Sequence, residues 1–403
     1  MTETELFITI VKAAVNGQPL TVTEAVDTEK LWQFSRHHAV SATVASALLG
    51  SDLIRDDEDR QRWSEAMFKS IRKTVFFDKE RAAIYRALEN QKIWYVPLKG
   101  IVVNSFYPVY GVREFSDNDI WVDGTALDRL ETAMKALGYQ FDPTNIIVHY
   151  SFHKEPLLCF EFHHRLFSDK EKYAPFNRYF EKVKQELTAN AQGRYALSLS
   201  AEDSYIFLLA HAYKHYVQYG VGLKTLADIY LYRKHCSMDE NKLATVFEEL
   251  QIAPFVRTME KLTEKLLATD GEFAMASLTE PEREMLEKIL RLGNDGNLSE
   301  YFARRYEEFV EQTGTTSRLR YYQHRLFPSM EPYKKKFPTL YKHKILHPLF
   351  YVYRPFRGLI VNRRALKCEL KTISKGKKKQ KNNKPSKNGN AMCICALLFY
   401  CLT

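Results

Sequence analysis

The period of apolar and polar positions changes twice along the chain, and those changes divide it. Residues 1–90 read as helical: Leu31 to Leu49 carries apolar side chains at helical spacing, and Gln61 to Asn90 continues the style. Near residue 91 the pattern shortens. The apolar run Ile93-Trp94-Tyr95-Val96 leads to Lys99-Gly100 and the short apolar segment Ile101-Val102-Val103, which predicts a strand, a tight glycine turn and a helix start. Ile120-Trp121-Val122 predicts a second strand, and Thr125 to Leu137 a helix ended by Gly138. Asn145 to His153 and Leu157 to His164 alternate with a period of two around Lys154-Glu155-Pro156, the pattern of a hairpin. On its first strand Ile146, Val148, Tyr150 and Phe152 share one face, opposite His149, Ser151 and His153. On its second, Leu158, Phe160 and Phe162 oppose Cys159, Glu161 and His163. From 171 to 315 the helical period returns. Ser200 is placed as the N-cap of a main helix with Asp203 at its third position, and Leu223 to Arg233 begins another helix after Gly220 and Gly222. The expected class is α+β, a small mixed sheet over 91–170 set between helical regions at 1–90 and 171–315.

Composition narrows this picture without changing it. A chain of 403 residues with 45% apolar and 13% aromatic content has enough material for two or three packed units. No apolar stretch reaches the roughly 20 residues that span a bilayer, and Met1 to Val11 carries acids in place of the basic start of a secretory signal. The cysteines, Cys159, Cys236, Cys368, Cys393, Cys395 and Cys401, form no zinc-type pair and suggest no disulfide framework, so a reducing, cytoplasmic setting is expected.

Charge divides the chain further. Residues 1–330 hold 41 Lys and Arg against 47 Asp and Glu, whereas 331–403 hold 18 against 2. The first 330 residues therefore lack the footprint of a dedicated nucleic-acid binder. Residues 316–370 interleave bases with aromatics (Arg320, Tyr321, Tyr322, Lys334 to Lys336, Tyr351, Arg357) and have three readings. Packing of the aromatics in a helical appendage is favoured over a polyanion surface or an interfacial membrane segment. Residues 371–403 are expected to be a disordered tail: Lys371 to Lys387 has eight lysines and no acid, and the apolar end, Ala391 to Leu402, is too short to span a membrane. An anionic surface is a candidate contact for 331–403.

The chemistry concentrates between Lys99 and Glu161. Asp117 and Asp119 stand at the start of a strand, where a period of two sends both carboxylates to one face. Two carboxylates so placed repel unless a cation lies between them, and a hard divalent ion suits them. Lys99-Gly100 offers a turn of the kind whose free N–H groups receive phosphate. If the hairpin pairs beside the Asp117 strand, Glu161 makes a third carboxylate. His211 and His215 share a helix face, but the residues between them are Ala-Tyr-Lys, not the zinc-protease pattern; packing or lining the cleft is the expectation. His149 and His163 read as strand histidines and Cys159 as a small packing residue. Asp228 is expected to bond Lys224 four residues earlier, in preference to a substrate contact.

Leu98-Lys99-Gly100, Arg113 four residues ahead of Asp117-Asn118-Asp119, and Phe160-Glu161-Phe162-His163-His164-Arg165-Leu166 together resemble the polymerase-β-type nucleotidyltransferase superfamily. Within it, the chain is most similar to the bacterial group of uncharacterised nucleotidyltransferases, chiefly over Trp94 to Leu166. One position departs: Asn118 replaces the aliphatic residue usual between the aspartates, and should pack against the helix layer. The resemblance implies a palm at 91–170 and a metal-dependent transfer of an NMP group from an NTP, ATP included, to an acceptor hydroxyl, with pyrophosphate released. It further implies Asp117, Asp119 and Glu161 as catalytic residues and ligands of Mg²⁺ or Mn²⁺, two ions about 3.5–4 Å apart. Glu161 would in addition take the acceptor's proton. Lys99 and the Gly100 amide would hold the triphosphate, with Arg113 or His163 as secondary contacts. Arg113 has the alternative of pairing with Asp117 or Glu114. A small molecule, a protein side chain or an RNA end all suit this site as acceptor. The competing classes are a nucleotide-binding module without turnover and a membrane- or partner-binding protein acting through 331–403.

Overall fold

The structure is a computed structural model that describes residues 1–403 except 23, 143–147, 157, 269–272, 295–297, 328–340, 344, 346, 353–362 and 376–403. The described residues fall into two compact units, one of 1–142 with 148–294 and one drawn from 295–403.

The first unit opens with four helices. Helix α1 (Glu3–Asn16) starts at a capping box between Thr2 and Glu5 and stops at Gly17, which takes the left-handed conformation at φ 64°. Helices α2 (Thr28–His37) and α3 (Ser41–Leu48) divide the run Leu31 to Leu49 that reads as continuously helical. The break lies at His38 to Val40, where Ala39 has φ 54°. Helix α4 (Asp57–Asn90) is 34 residues long and buries Trp63, Ser70, Thr74, Phe77, Arg81, Ile84 and Leu88, one seam along a single side.

Part of that seam, Phe77 and Arg81, packs on one face of a five-stranded sheet. Strand β1 (Tyr95–Pro97) precedes a short helix α5 (Gly100–Val103); strand β2 (Asn118–Val122) precedes α6 (Leu127–Ala136), shorter at both ends than expected, with Gly138 just beyond it at φ 83°. Strands β3 (Gln140–Asp142), β4 (His149–Lys154) and β5 (Leu158–His163) follow, and the sheet order is β1-β2-β5-β4-β3. Strands β4 and β5 form the expected antiparallel hairpin, although the part of it expected at 145–147 lies outside the described residues. Strand β2 runs parallel to β5, with Asn118 opposite Phe160, Asp119 opposite Glu161 and Ile120 opposite Phe162. The two faces therefore segregate. Phe160 meets Phe77 of α4 edge-on with ring centroids 5.5 Å apart, while Asp119, Glu161 and His163 point to the opposite side.

The helical part follows: α7 (Ala174–Val183), the two-stranded pair β6 (Thr188–Ala189) and β7 (Leu197–Ser198), α8 (Ala201–Gln218), α9 (Leu223–His235), α10 (Glu240–Glu249), α11 (Ala253–Leu267) and α12 (Glu280–Leu292). Ser200 caps α8 as expected, accepting from the Asp203 amide at 3.0 Å. Phe207 and Leu209 of α8 and Leu226 of α9 belong to the same apolar core as Val96 and Trp121 of the sheet, which brings these helices onto its polar side.

The second unit contains α13 (Leu298–Thr313), α14 (Arg318–Leu326) and α15 (Arg363–Lys375). Phe309, Tyr321 and Ile373 form its small core. Glu369, itself buried, accepts from the Tyr321 hydroxyl at 2.8 Å and pairs with Arg325 at 2.8 Å, so these aromatics and bases of the 316–370 segment are spent on packing. Lys371 to Lys375, expected to open a disordered tail, belongs to α15; the remaining tail, with Cys393, Cys395 and Cys401, lies outside the described residues. Among the described residues no helix is long and apolar enough to cross a membrane.

Candidate active site

The parallel register of β2 and β5 builds the site. Asp119 and Glu161 are direct neighbours on adjacent strands, and Asp117 lies two residues before Asp119. One oxygen from each of Asp117, Asp119 and Glu161 can be chosen so that all lie within 4.8 Å of one another. Asp119 and Glu161 are buried, and Asp117 accepts from the Ser116 hydroxyl at 2.9 Å. The sequence pattern therefore brings the three carboxylates together. An all-oxygen, three-carboxylate donor set, mostly shielded from water, fits a hard divalent cation.

Lys99 reaches this cluster from the turn after β1. It has φ 47° and ψ −115°, outside the ordinary regions for a residue with a side chain, and its Nζ lies 2.8 Å from Asp119 Oδ1. The strained residue of the turn is thus Lys99, not Gly100. Gly100 is needed for space: a β-carbon there would lie 2.7 Å from the guanidinium carbon of Arg113. Gly100 is itself buried.

Arg113 is committed to neither Asp117 nor Glu114. Its Nε and Nη2 donate to Asp228 Oδ1 and Oδ2 at 2.8 and 2.7 Å, a two-pronged pair in which both side chains are under a tenth exposed. The Tyr107 hydroxyl donates to the same carboxylate at 2.8 Å. This corrects the expected Lys224–Asp228 bond: Lys224 Nζ instead donates to the Glu114 carbonyl at 3.4 Å. Burial alone would lower Arg113's affinity for its proton, but the Asp228 charge outweighs it and holds the guanidinium above its ordinary range. Arg113 thereby ties the segment before β2 to α9.

Histidines complete the polar wall. His163 Nε2 lies 2.8 Å from Asp119 Oδ1 and 3.8 Å from Glu161 Oε2, and His149 Nε2 lies 3.5 Å from the same Glu161 oxygen. From α8, His211 Nε2 is 3.1 Å from Lys99 Nζ and 3.2 Å from His215 Nε2, so this pair stands beside Lys99. Lys214, one turn from His211, joins the group. Burial, and then the charge of Lys99, push the Lys214 amine down to about 8. Sequence reasoning missed Lys214, although its spacing of three from His211 on a helix was a usable signal.

The charges sort by environment. Burial would raise the Asp119 carboxyl, but the Lys99 charge and the bond from His163 hold it far below the usual carboxylate range. Burial, then Asp117 and Asp119, raise Glu161 well above it. Burial lowers His163 against the pull of Asp119, and lowers His149, His211 and His215 strongly, so these imidazoles are neutral near pH 7.

Fold and site together define a protein with carboxylates on two parallel strands and a lysine paired directly to one of them. The sequence matches the family described as uncharacterised nucleotidyltransferase over residues 24–268, more than half of its length, and the chain belongs to that family. Comparisons with curated proteins and with solved structures return no match.

Proposed function

We propose that the protein transfers an NMP group from an NTP to an acceptor hydroxyl, releasing pyrophosphate, with Asp117, Asp119 and Glu161 holding the divalent cations, Mg²⁺ or Mn²⁺. The observation that carries this reading is the β2–β5 register, which sets Asp119 against Glu161 with Asp117 beside them. When bound, two such cations would neutralise charge at the reacting phosphorus and activate the attacking oxygen. The chain's own residues supply the rest. Lys99, and beside it Lys214, His211 and His215 of α8, present nitrogen groups where a triphosphate chain would lie. His163 fixes the orientation of Asp119 through their 2.8 Å contact. Arg113, paired to Asp228 and pressed against Gly100, supports the turn that carries Lys99. The close approach of its guanidinium leaves no room for a side chain at Gly100, so the two pack directly, as a positioning role requires.

The test is label transfer. Purified protein with Mg²⁺ or Mn²⁺ and each α-³²P-labelled NTP, with a cell extract as the acceptor pool, is expected to yield a labelled product. In an Asp117→Ala/Asp119→Ala protein of unchanged circular dichroism, label transfer should fall at least about 100-fold, as loss of transition-state charge stabilisation implies. Equal transfer by the double variant would remove the proposed site from the chemistry.

A further inference from the structure

The hairpin facing the carboxylates carries a second set of donors. His149 and His163 stand directly opposite each other on β4 and β5, and the adjacent pair on the same face is Ser151 with Glu161. Both imidazole Nε2 atoms approach Glu161 Oε2, at 3.5 and 3.8 Å, and one ligand atom can be chosen from each residue so that all three lie within 4.8 Å of one another. The histidine side chains are only 12% and 6% exposed. His163 Nε2 also lies 2.8 Å from Asp119 Oδ1, so a cation bound there takes the place of that hydrogen bond and leaves the ring proton on the buried Nδ1.

We propose that His149, His163 and Glu161 form a mixed nitrogen–oxygen cation site that shares Glu161 with the Asp117–Asp119–Glu161 set. The inference rests on the function proposed above and assigns different ligands to the two positions. Two imidazoles and one carboxylate are a donor set for borderline first-row ions, Mn²⁺, Co²⁺ or Zn²⁺, while Mg²⁺ takes oxygen and retains its waters. Three protein ligands leave positions open for water or a substrate oxygen. The paired position is the one the carboxylates alone would offer to Mg²⁺. Glu161, with an oxygen in each set, is the bridging residue, and the cross-strand register of the hairpin fixes the spacing of the two histidines.

The experiment uses the full chain stripped of metal by chelator. Loaded with Mn²⁺, the wild-type protein is expected to show ¹⁴N modulation from coordinated imidazole in pulsed electron paramagnetic resonance; its absence would overturn the inference without any variant. Titrated with Co²⁺, it should develop a visible d–d band whose apparent affinity falls at least 10-fold in His149→Gln and in His163→Gln. An unchanged band in both folded variants would also overturn it. Label transfer is measured beside these spectra. Transfer that needs Asp117 and Asp119 while no nitrogen coordination is seen would leave the proposed function standing and this inference refuted. Transfer indifferent to both aspartates would refute the function instead.

Discussion

Between Asp117 and Asp119 stands Asn118, and its partner is Arg81. The register of β2 turns Asn118 to the α4 side, fully buried, where its Oδ1 accepts from the Arg81 guanidinium, which also pairs with Asp78. The polar residue in place of an aliphatic one is therefore matched by a polar residue on the helix, and the face carrying the carboxylates is untouched. Asn118→Val should destabilise the protein by about 1–3 kcal/mol, because Arg81 loses a buried acceptor; urea unfolding measures it. Asp228→Ala is expected to cost about 3–5 kcal/mol in the same assay, since it leaves the Arg113 charge buried and unpaired. His38 gives a pH signature. It is fully buried, neither ring nitrogen makes a hydrogen bond, and burial pushes its imidazole down to about 3 from 6.5. Between those values the unfolded chain takes up a proton that the folded chain refuses, so stability is complete above pH 6.5 and falls as pH drops towards 3. The slope from this residue is at most about 1.4 kcal/mol per pH unit. Urea unfolding from about pH 7 to about pH 4 should show a steeper loss in the wild type than in His38→Leu.

At the scale of elements, the alternating runs were the legible part. Period two placed His149, Ser151, Glu161 and His163 on one face of a hairpin, and the structure has them there. Ser200 announced α8 by its own chemistry, and Ser200→Ala is expected to cost about 1 kcal/mol on thermal or urea unfolding. Local signals did less well where the answer depends on distant partners. Nothing near Asp228 points to Arg113, which is 115 residues away, and the spacing of four from Lys224 pointed elsewhere. The break between α2 and α3 was hidden because His38-Ala39-Val40 contains neither Gly nor Pro; the Val40 amide bonds the Ser35 carbonyl, and Ala39 turns through a positive φ that its composition does not advertise. Similarly, Gly100 read as a turn residue on sequence grounds, yet its lack of a side chain serves the close passage of Arg113. That β2 neighbours β5 could be anticipated as a condition for the three-carboxylate site, but neither strand's own sequence dictates the pairing.

The whole molecule separates its charge from its chemistry. Each residue proposed to hold metal or nucleotide lies in the unit of 1–142 and 148–294, while residues 331–403 carry 18 Lys and Arg against 2 acids. A chain ending after Asn294 is accordingly expected to keep label transfer close to that of the full chain, measured with the same labelled NTPs. Within the site, the Lys99 ammonium, 2.8 Å from Asp119, is a counterion that cannot diffuse away. A metal ion arriving alone competes with it, whereas one arriving with a nucleotide offers Lys99 a phosphate in exchange. Metal and nucleotide should thus favour each other's binding by the same factor, as linkage demands. In calorimetric titrations Lys99→Ala should bind Mn²⁺ more tightly than the wild type when no nucleotide is present, and should lose most of that mutual reinforcement.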